Sequence, residues 1–239
     1  MSSPAPRLRV VRLGAMPYAD ALDQQRAVAR GRIGGTIDED VLLLVEHPPV
    51  VTLGRSTKAT SLPLTPDAMR ARGVEVHEVE RGGDVTFHGP GQLVGYPIID
   101  LKRHKKDLHW HLRQVEQGLI DALGAVGLPA GRRAPHTGVW IADARKIASI
   151  GVHARDWVTW HGFALNVSTA LSFFDLIVPC GIHGVDMTSV VRELGRDVSM
   201  AEMTRVAADG IASAFSLAPV DLAADDLVTR LDEPSLALR

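Results

Sequence analysis

Cys180 is the only cysteine in the 239 residues, and it stands in the heptapeptide VPCGIHG, residues 178–184. A lone cysteine is most often a small buried hydrophobe. Here Pro179 fixes the approach of the chain and Gly181 clears one side, which exposes the sulfur and frees a backbone N–H to face a developing oxyanion. A free thiol has a pKa of about 8.5 and is mostly protonated at neutral pH, so a nucleophilic Cys180 needs a cation beside it. Two residues are candidates. His183 completes a Cys-x-x-His, readable as a dyad, as half of a metal site or as a surface histidine. Lys146 opens the strand-like KIASIGVHA, where a lysine ordinarily marks a solvated strand end. Spacing along the chain does not choose between them. Metal is the weaker idea, because no second close pair of ligands accompanies Cys-x-x-His. The His109-Trp110-His111 triplet falls on a predicted helix, where a spacing of two does not share a face.

The second stretch with chemical character is RGGDVTFHGPGQ, Arg81 to Gln92, in which five of twelve residues are Gly or Pro. So little side-chain bulk lets backbone approach something closely. The surrounding pattern supplies the elements that must hold these residues. A polar-rich helix is expected over residues 18–30, and two strands meeting at a Pro48-Pro49 corner over 40–54. Thr65 caps a short helix with Pro66 at its first position and Gly73 as terminator. VEVHEVE alternates as a strand, QLVGYPIIDL is another, and the Gly-rich stretch is read as the loop joining them. Apolar residues recur every three or four positions from Leu108 to Val126, which predicts a long helix over 107–127. TGVWI, KIASIGVHA and WVTWHGFALNVS read as an antiparallel meander, and SMAE opens a capped helix running to about Leu217. The expectation is an α+β fold: a single domain over residues 7–217 with a mixed or antiparallel sheet and flanking helices. A flexible tail is expected over 1–6, and a mildly acidic extension over 218–239.

Composition bounds the function. With 46% hydrophobic and 23% charged residues and a formal charge of −2, the chain reads as an ordinary globular protein. It lacks the basic balance of a general nucleic-acid binder. No apolar run has membrane-spanning length and MSSPAPRLRVVRLG has no signal-peptide core, so the expectation is a soluble, cytoplasmic protein with no membrane partner. One cysteine excludes an internal disulfide and a multi-Cys zinc site. No Walker-type phosphate loop is present, no cofactor is expected, and no coiled-coil seam argues against a monomer.

RGGDVTFHGPGQ followed by a strand, then RKIASIG, WHGFALNVS and PCGIHG with MTSV beyond it, resembles the octanoyltransferases of lipoate biosynthesis, in order from about Val41 to Leu217. These lipoyl(octanoyl) transferases are similar in fold to biotin and lipoate protein ligases. The resemblance implies that Cys180 and Lys146 form the catalytic pair. Octanoyl-acyl carrier protein is then the donor, and the acceptors are lysines of lipoyl domains in 2-oxoacid dehydrogenase complexes and the glycine cleavage H protein. It also implies that the acyl site is walled by Arg81, Gly82, Gly83, Asp84, Val85, Thr86, Phe87 and His88, with Ser149, Ile150 and Gly151 on a second side and Gly162, Phe163 and Ala164 on a third. Phe87 stands where the family usually has Tyr, which removes a phenol hydroxyl, while its ring, together with the side chains of Ile150 and Phe163, is expected to offer apolar contact. His88 has two open readings, a hydrogen bond near the reacting carbonyl or an ordering role in the loop; for Asp84 and Thr86 the ordering role is expected. Arg81 is expected to meet a carboxylate of the fold or phosphopantetheine at the mouth. Lys102 to Lys106 and Arg132-Arg133 are candidate docking patches for an acidic carrier. Two rival readings remain: an ATP-dependent lipoate or biotin protein ligase, and a non-catalytic acyl-binding module.

Overall fold

The structure, a computed structural model, describes residues 6–178 and 185–232. A nine-stranded mixed sheet forms its centre, in the order β12-β1-β2-β6-β10-β9-β8-β7, with β11 added beside β9. The strands are β1 (Arg7–Ala15), β2 (Asp40–Glu46), β6 (Gln92–Ile98), β7 (Gly131–Arg133), β8 (His136–Ile141), β9 (Arg145–Arg155), β10 (Val158–Asn166), β11 (Asp186–Met187) and β12 (Ala218–Asp221). A second, three-stranded sheet has β3 (Val50–Leu53) between β4 (Glu75–Glu78) and β5 (Val85–His88). The helices are α1 (Tyr18–Gly34), α2 (Pro66–Arg70), α3 (Leu108–Ala125), α4 (Val190–Leu194), α5 (Met200–Ala214) and α6 (Ala224–Asp232).

The two faces of the central sheet carry different cores. Leu93, Phe163 and Leu165 pack with Val115, Leu119 and Leu123 of α3 and with Val206 and Ile211 of α5. Val94, Tyr96 and Ala164, one residue out of phase, pack with Ala21, Val28 and Ala29 of α1. This is the alternation a strand buried on both sides must show. A third cluster joins Val51, Val85 and Phe87 of the small sheet to Phe174 and Ile177.

The helix ends follow the expected chemistry. Thr65 accepts from the Ala68 N–H, Asp107 from the Trp110 N–H and Ser199 from the Glu202 N–H. The meander is antiparallel, with Gly162 opposite Gly151, Phe163 opposite Ile150 and Ala164 opposite Ser149. Two expectations need correction. The Gly-rich stretch is not merely a connection, because its VTFH segment is β5, paired antiparallel to β3. Residues 218–221 are not outside the sheet but form its edge strand, parallel to β1.

Candidate active site

A cavity of about 290 Å³ lies between the α1 face of the central sheet and the small sheet. Arg81, Gly83, Asp84, Val85, Thr86 and His88 line it from the Gly-rich stretch. Lys146, Ser149, Ile150 and Gly151 line it from β9, and Gly162, Phe163 and Ala164 from β10. Gly82 and Phe87, expected with them, are not among the lining residues. The Gly82 N–H is bound to Val152 O at 2.9 Å, which fastens the loop to β9. The Phe87 ring points the other way, stacked on Phe173 at 4.8 Å and edge-on to Phe174, because alternation on β5 sends Thr86 and His88 to one face and Phe87 to the other. The ring therefore supports the wall from behind and offers no contact to an occupant. Both tyrosines of the chain, Tyr18 and Tyr96, also line the cavity, as does His161. None of the three is singled out by sequence; the scarcity of tyrosine is the one signal for Tyr18 and Tyr96, and His161 carries none.

Lys146 is 2% exposed, so it is not the solvated strand end that its position suggested. Its place is made by β8. A Cβ on Gly138 would stand 2.8 Å from Lys146 Cε, and the ammonium lies 5.4 Å from the centre of the Trp140 ring. Gly138 has φ of 134°, and the β8–β9 register shifts just beyond it. The Gly138 N–H donates to Glu116 Oε1 at 3.0 Å from a side chain that is wholly buried in α3. Glu116 Oε2 accepts from Arg113 at 2.6 Å and from Arg132 at 2.8 Å, so the buried carboxylate is matched by two guanidinium groups. Arg132 thus holds the interior of the fold, and Arg133 lies 5.0 Å over the Trp140 ring. Most of the other basic run is engaged as well: Lys102 and Arg103 face Asp100, His104 binds Asp40, and Lys105 binds Asp107.

His88 orders its surroundings. Its Nδ1 is 2.8 Å from Gln92 Oε1, and the Gln92 amide donates to Phe87 O and to Asn166 Oδ1. Asn166 donates to Thr188 O at 3.0 Å, and the Thr188 N–H donates to Lys146 O. A continuous chain of hydrogen bonds therefore runs from the cavity wall to the backbone of Lys146. Burial, with the nearby His47 as the next cause, pushes His88 down to about 3, so the ring is neutral at working pH. Asp84 accepts from Ser61 Oγ and from the Val85 N–H, the ordering role expected of it. Arg81 donates to Thr52 O and Thr52 Oγ1. Beside His161, whose Nε2 lies 3.7 Å from its carboxylate, Glu80 is held well below the usual carboxylate range by that ring and by Arg26, against the opposing effect of burial.

Cys180 and His183 lie outside the described residues. The segment's neighbours are fixed: the Val178 N–H donates to Ser61 O, and Asp186 and Met187 pair with Arg145 and Lys146. Among the described residues no group of His, Cys, Asp and Glu could hold a metal ion, and no helix is long and apolar enough to cross a membrane.

Residues 17–212 match the lipoyl protein ligase A/B catalytic domain. The chain is 46% identical over 219 residues to an octanoyltransferase of Myxococcus xanthus, covering 90% of this chain and 61% of that one. It is 53% identical over 170 residues to the octanoyltransferase of Solibacter usitatus, covering 71% and 76%, and 49% identical over 199 residues to that of Rubrobacter xylanophilus, covering 82% and 88%. Among solved structures, a bipartite lipoate protein ligase from Thermoplasma acidophilum superposes with a TM-score of 0.74 at 17% identity, over 95% of this chain and 91% of that one. Lipoate-protein ligase A bound with ATP superposes with a TM-score of 0.70 at 16% identity, over 95% and 92%. The ligases share the fold, and the close sequence relatives are transferases. The chain belongs to the lipoyl protein ligase A/B catalytic family and, within it, to the octanoyltransferases, which are acyltransferases.

Proposed function

We propose that this chain transfers an octanoyl group from octanoyl-acyl carrier protein to a lysine of lipoyl domains through a thioester on Cys180. The Cys180 thiolate attacks the donor thioester carbonyl; the new C–S bond forms as the bond to the carrier sulfur breaks, and the carrier leaves as a thiol after taking one proton. The acceptor lysine, as a neutral amine, then attacks the acyl-enzyme. An amide forms, the amine loses a proton, and Cys180 is regenerated. Lys146 has two tasks in this scheme: its ammonium favours the thiolate, and it relays protons to the leaving thiol and from the entering amine.

The observation that carries the reading is the burial of Lys146 in the wall of the cavity, beside a strand that begins six residues after Cys180. Lysine loses solvation on burial and is rarely tolerated there without a charged or polar task. Relatives named octanoyltransferases support the reading that lipoyl domains are the acceptors. Incubation with octanoyl-acyl carrier protein and no ATP tests the scheme. Native protein should gain one octanoyl group by intact-protein mass spectrometry and pass it to a lipoyl domain, and Cys180→Ser should do neither. A requirement for ATP, or full activity in Cys180→Ser, would replace the reading with that of a ligase.

A further inference from the structure

Trp140 is wholly buried, yet it belongs to none of the apolar clusters that the described residues form. Its neighbours in β8 do: Val139 and Ile141 pack into the core under α3, and strand alternation turns Trp140 to the opposite face. The β8–β9 register shifts between Val139 and Trp140, which sets Trp140 directly opposite Lys146. Residues directly opposite on paired strands share a face. Without the shift Trp140 would stand opposite Ile147, and Lys146 would fall opposite Ile141. Around the Trp140 ring are the Lys146 ammonium, 5.4 Å from its centre, the Arg133 guanidinium at 5.0 Å and the His136 ring at 6.1 Å.

The indole N–H does not account for tryptophan here. Its Nε1 is buried and has no hydrogen-bond partner among the described residues. An unmade buried donor costs free energy that phenylalanine at the same position would not incur. What indole offers beyond phenyl is its face, the best of the aromatic faces for a cation. The attraction acts within about 6 Å of the ring centre and grows when the pair is desolvated. Both conditions hold for Lys146, which is 2% exposed. Trp140 itself is not among the residues lining the cavity, so its effect on an occupant passes through the lysine.

We propose that Trp140 is a positioning residue for acyl transfer, whose ring face holds the Lys146 ammonium in the cavity wall. The proposal rests on the acyl-transfer reading, in which Lys146 favours the thiolate and relays protons. It is tested by single-turnover acylation with octanoyl-pantetheine, followed by intact mass, in native protein and in protein carrying mono-, di- or trifluorotryptophan at position 140. Fluorine draws electron density from the ring face and changes its size little, so packing is kept while the attraction for the cation falls step by step. The maximal acylation rate should fall with each fluorine, by about tenfold over the series, while the donor concentration giving half that rate stays the same. Trp140→Phe, which keeps a weaker face, should retain more activity than Trp140→Leu, which keeps only apolar bulk. A rate indifferent to fluorine, or equal losses in the Phe and Leu variants, overturns the proposal and assigns Trp140 to packing, with octanoyl transfer by native protein intact. Failure of native protein to gain the octanoyl group removes the transferase reading, and the proposal with it.

Discussion

Gly138 leaves the space that the side chain of Lys146 fills, since a Cβ there would stand 2.8 Å from Lys146 Cε and 2.7 Å from Ala148 O. The backbone at Gly138, with φ of 134°, is one that L side chains rarely adopt. Gly138→Ala should therefore move the lysine as well as strain the strand. Acyl-enzyme formation is expected to fall by about a hundredfold, with a loss of stability of roughly 1–3 kcal/mol. Single-turnover acylation and urea unfolding measure the two parts. Native acylation in a correctly folded variant would mean that Lys146 does not need this cradle.

Glu116 acts on the same place from α3, because its carboxylate holds the Gly138 N–H while two arginines balance its charge. Glu116→Ala removes the acceptor of the buried Gly138 N–H and leaves Arg113 and Arg132, both partly exposed, without it, at a cost of about 1–3 kcal/mol. If both residues act through the position of Lys146, Glu116→Ala combined with Gly138→Ala should reduce acylation less than the product of the single effects. Independent, multiplying effects would place Glu116 in the general support of the fold.

Asn166 is the joint of the chain that ties His88 and Gln92 to Thr188 and so to Lys146. Asn166→Leu is similar in size and cannot bind either partner. Both the Gln92 amide and Thr188 O lose a buried partner, at about 1–3 kcal/mol for each group. Since Thr188 follows the strand beside Lys146, the alkylation rate of Cys180 against pH should shift to higher pH in this variant. An unchanged pH profile with lowered stability would limit Asn166 to a structural role.

Much of this geometry could be read before any coordinates. Alternating and three-to-four periodicities locate the meander and α3, and the caps at Thr65 and Ser199 mark helix starts because a side-chain oxygen there satisfies an otherwise orphaned N–H. β5 is hidden because glycines stand close on both sides of it, with Pro90 beyond its end, and four residues are too few to show a period. The direction of the Phe87 ring depends on which face of β5 meets Phe173 and Phe174, segments some ninety residues away, as the long-range stacking shows. The burial of Lys146 depends likewise on Gly138, across the β8–β9 hairpin, and on Glu116 of α3. Local propensity can name a lysine at a strand end, but only tertiary packing decides whether solvent reaches it.

Stability should fall on acidification below neutral pH. Burial lowers both His88 and His111 to about 3, whereas each titrates near 6.5 when unfolded. Between those values the unfolded chain binds the extra protons, so stability present above pH 6.5 is lost as pH falls toward 3, by up to roughly 1.4 kcal/mol per pH unit for each ring. His111 is the cleaner test because it is wholly buried against Phe215, away from the cavity. His111→Phe should lose about 2 kcal/mol less than native protein between pH 7 and pH 5 in urea unfolding. Equal losses would show that His111 is protonated in the folded state.

The last prediction separates two glycines that sit opposite each other on β9 and β10. From sequence, a side chain at either position would be expected to project into the acyl space. The structure gives them different neighbours. A Cβ on Gly162 would overlap Gly95 O of β6, which is backbone of the adjacent strand and cannot yield without breaking the β6–β10 pairing. A Cβ on Gly151 would stand 2.8 Å from Gly82 O, in the loop that walls the cavity and that is fastened to β9 through the Gly82 N–H. Gly162→Ala should therefore show its effect as lost stability, about 1–3 kcal/mol for overpacking against backbone. Gly151→Ala should push the Arg81–Gly82 wall outward and weaken donors of every chain length together, with a smaller loss of stability. Urea unfolding and KM for a graded series of acyl-pantetheines distinguish them. A loss confined to long donors in Gly151→Ala would show that the wall stays in place and that the added methyl shortens the cavity itself.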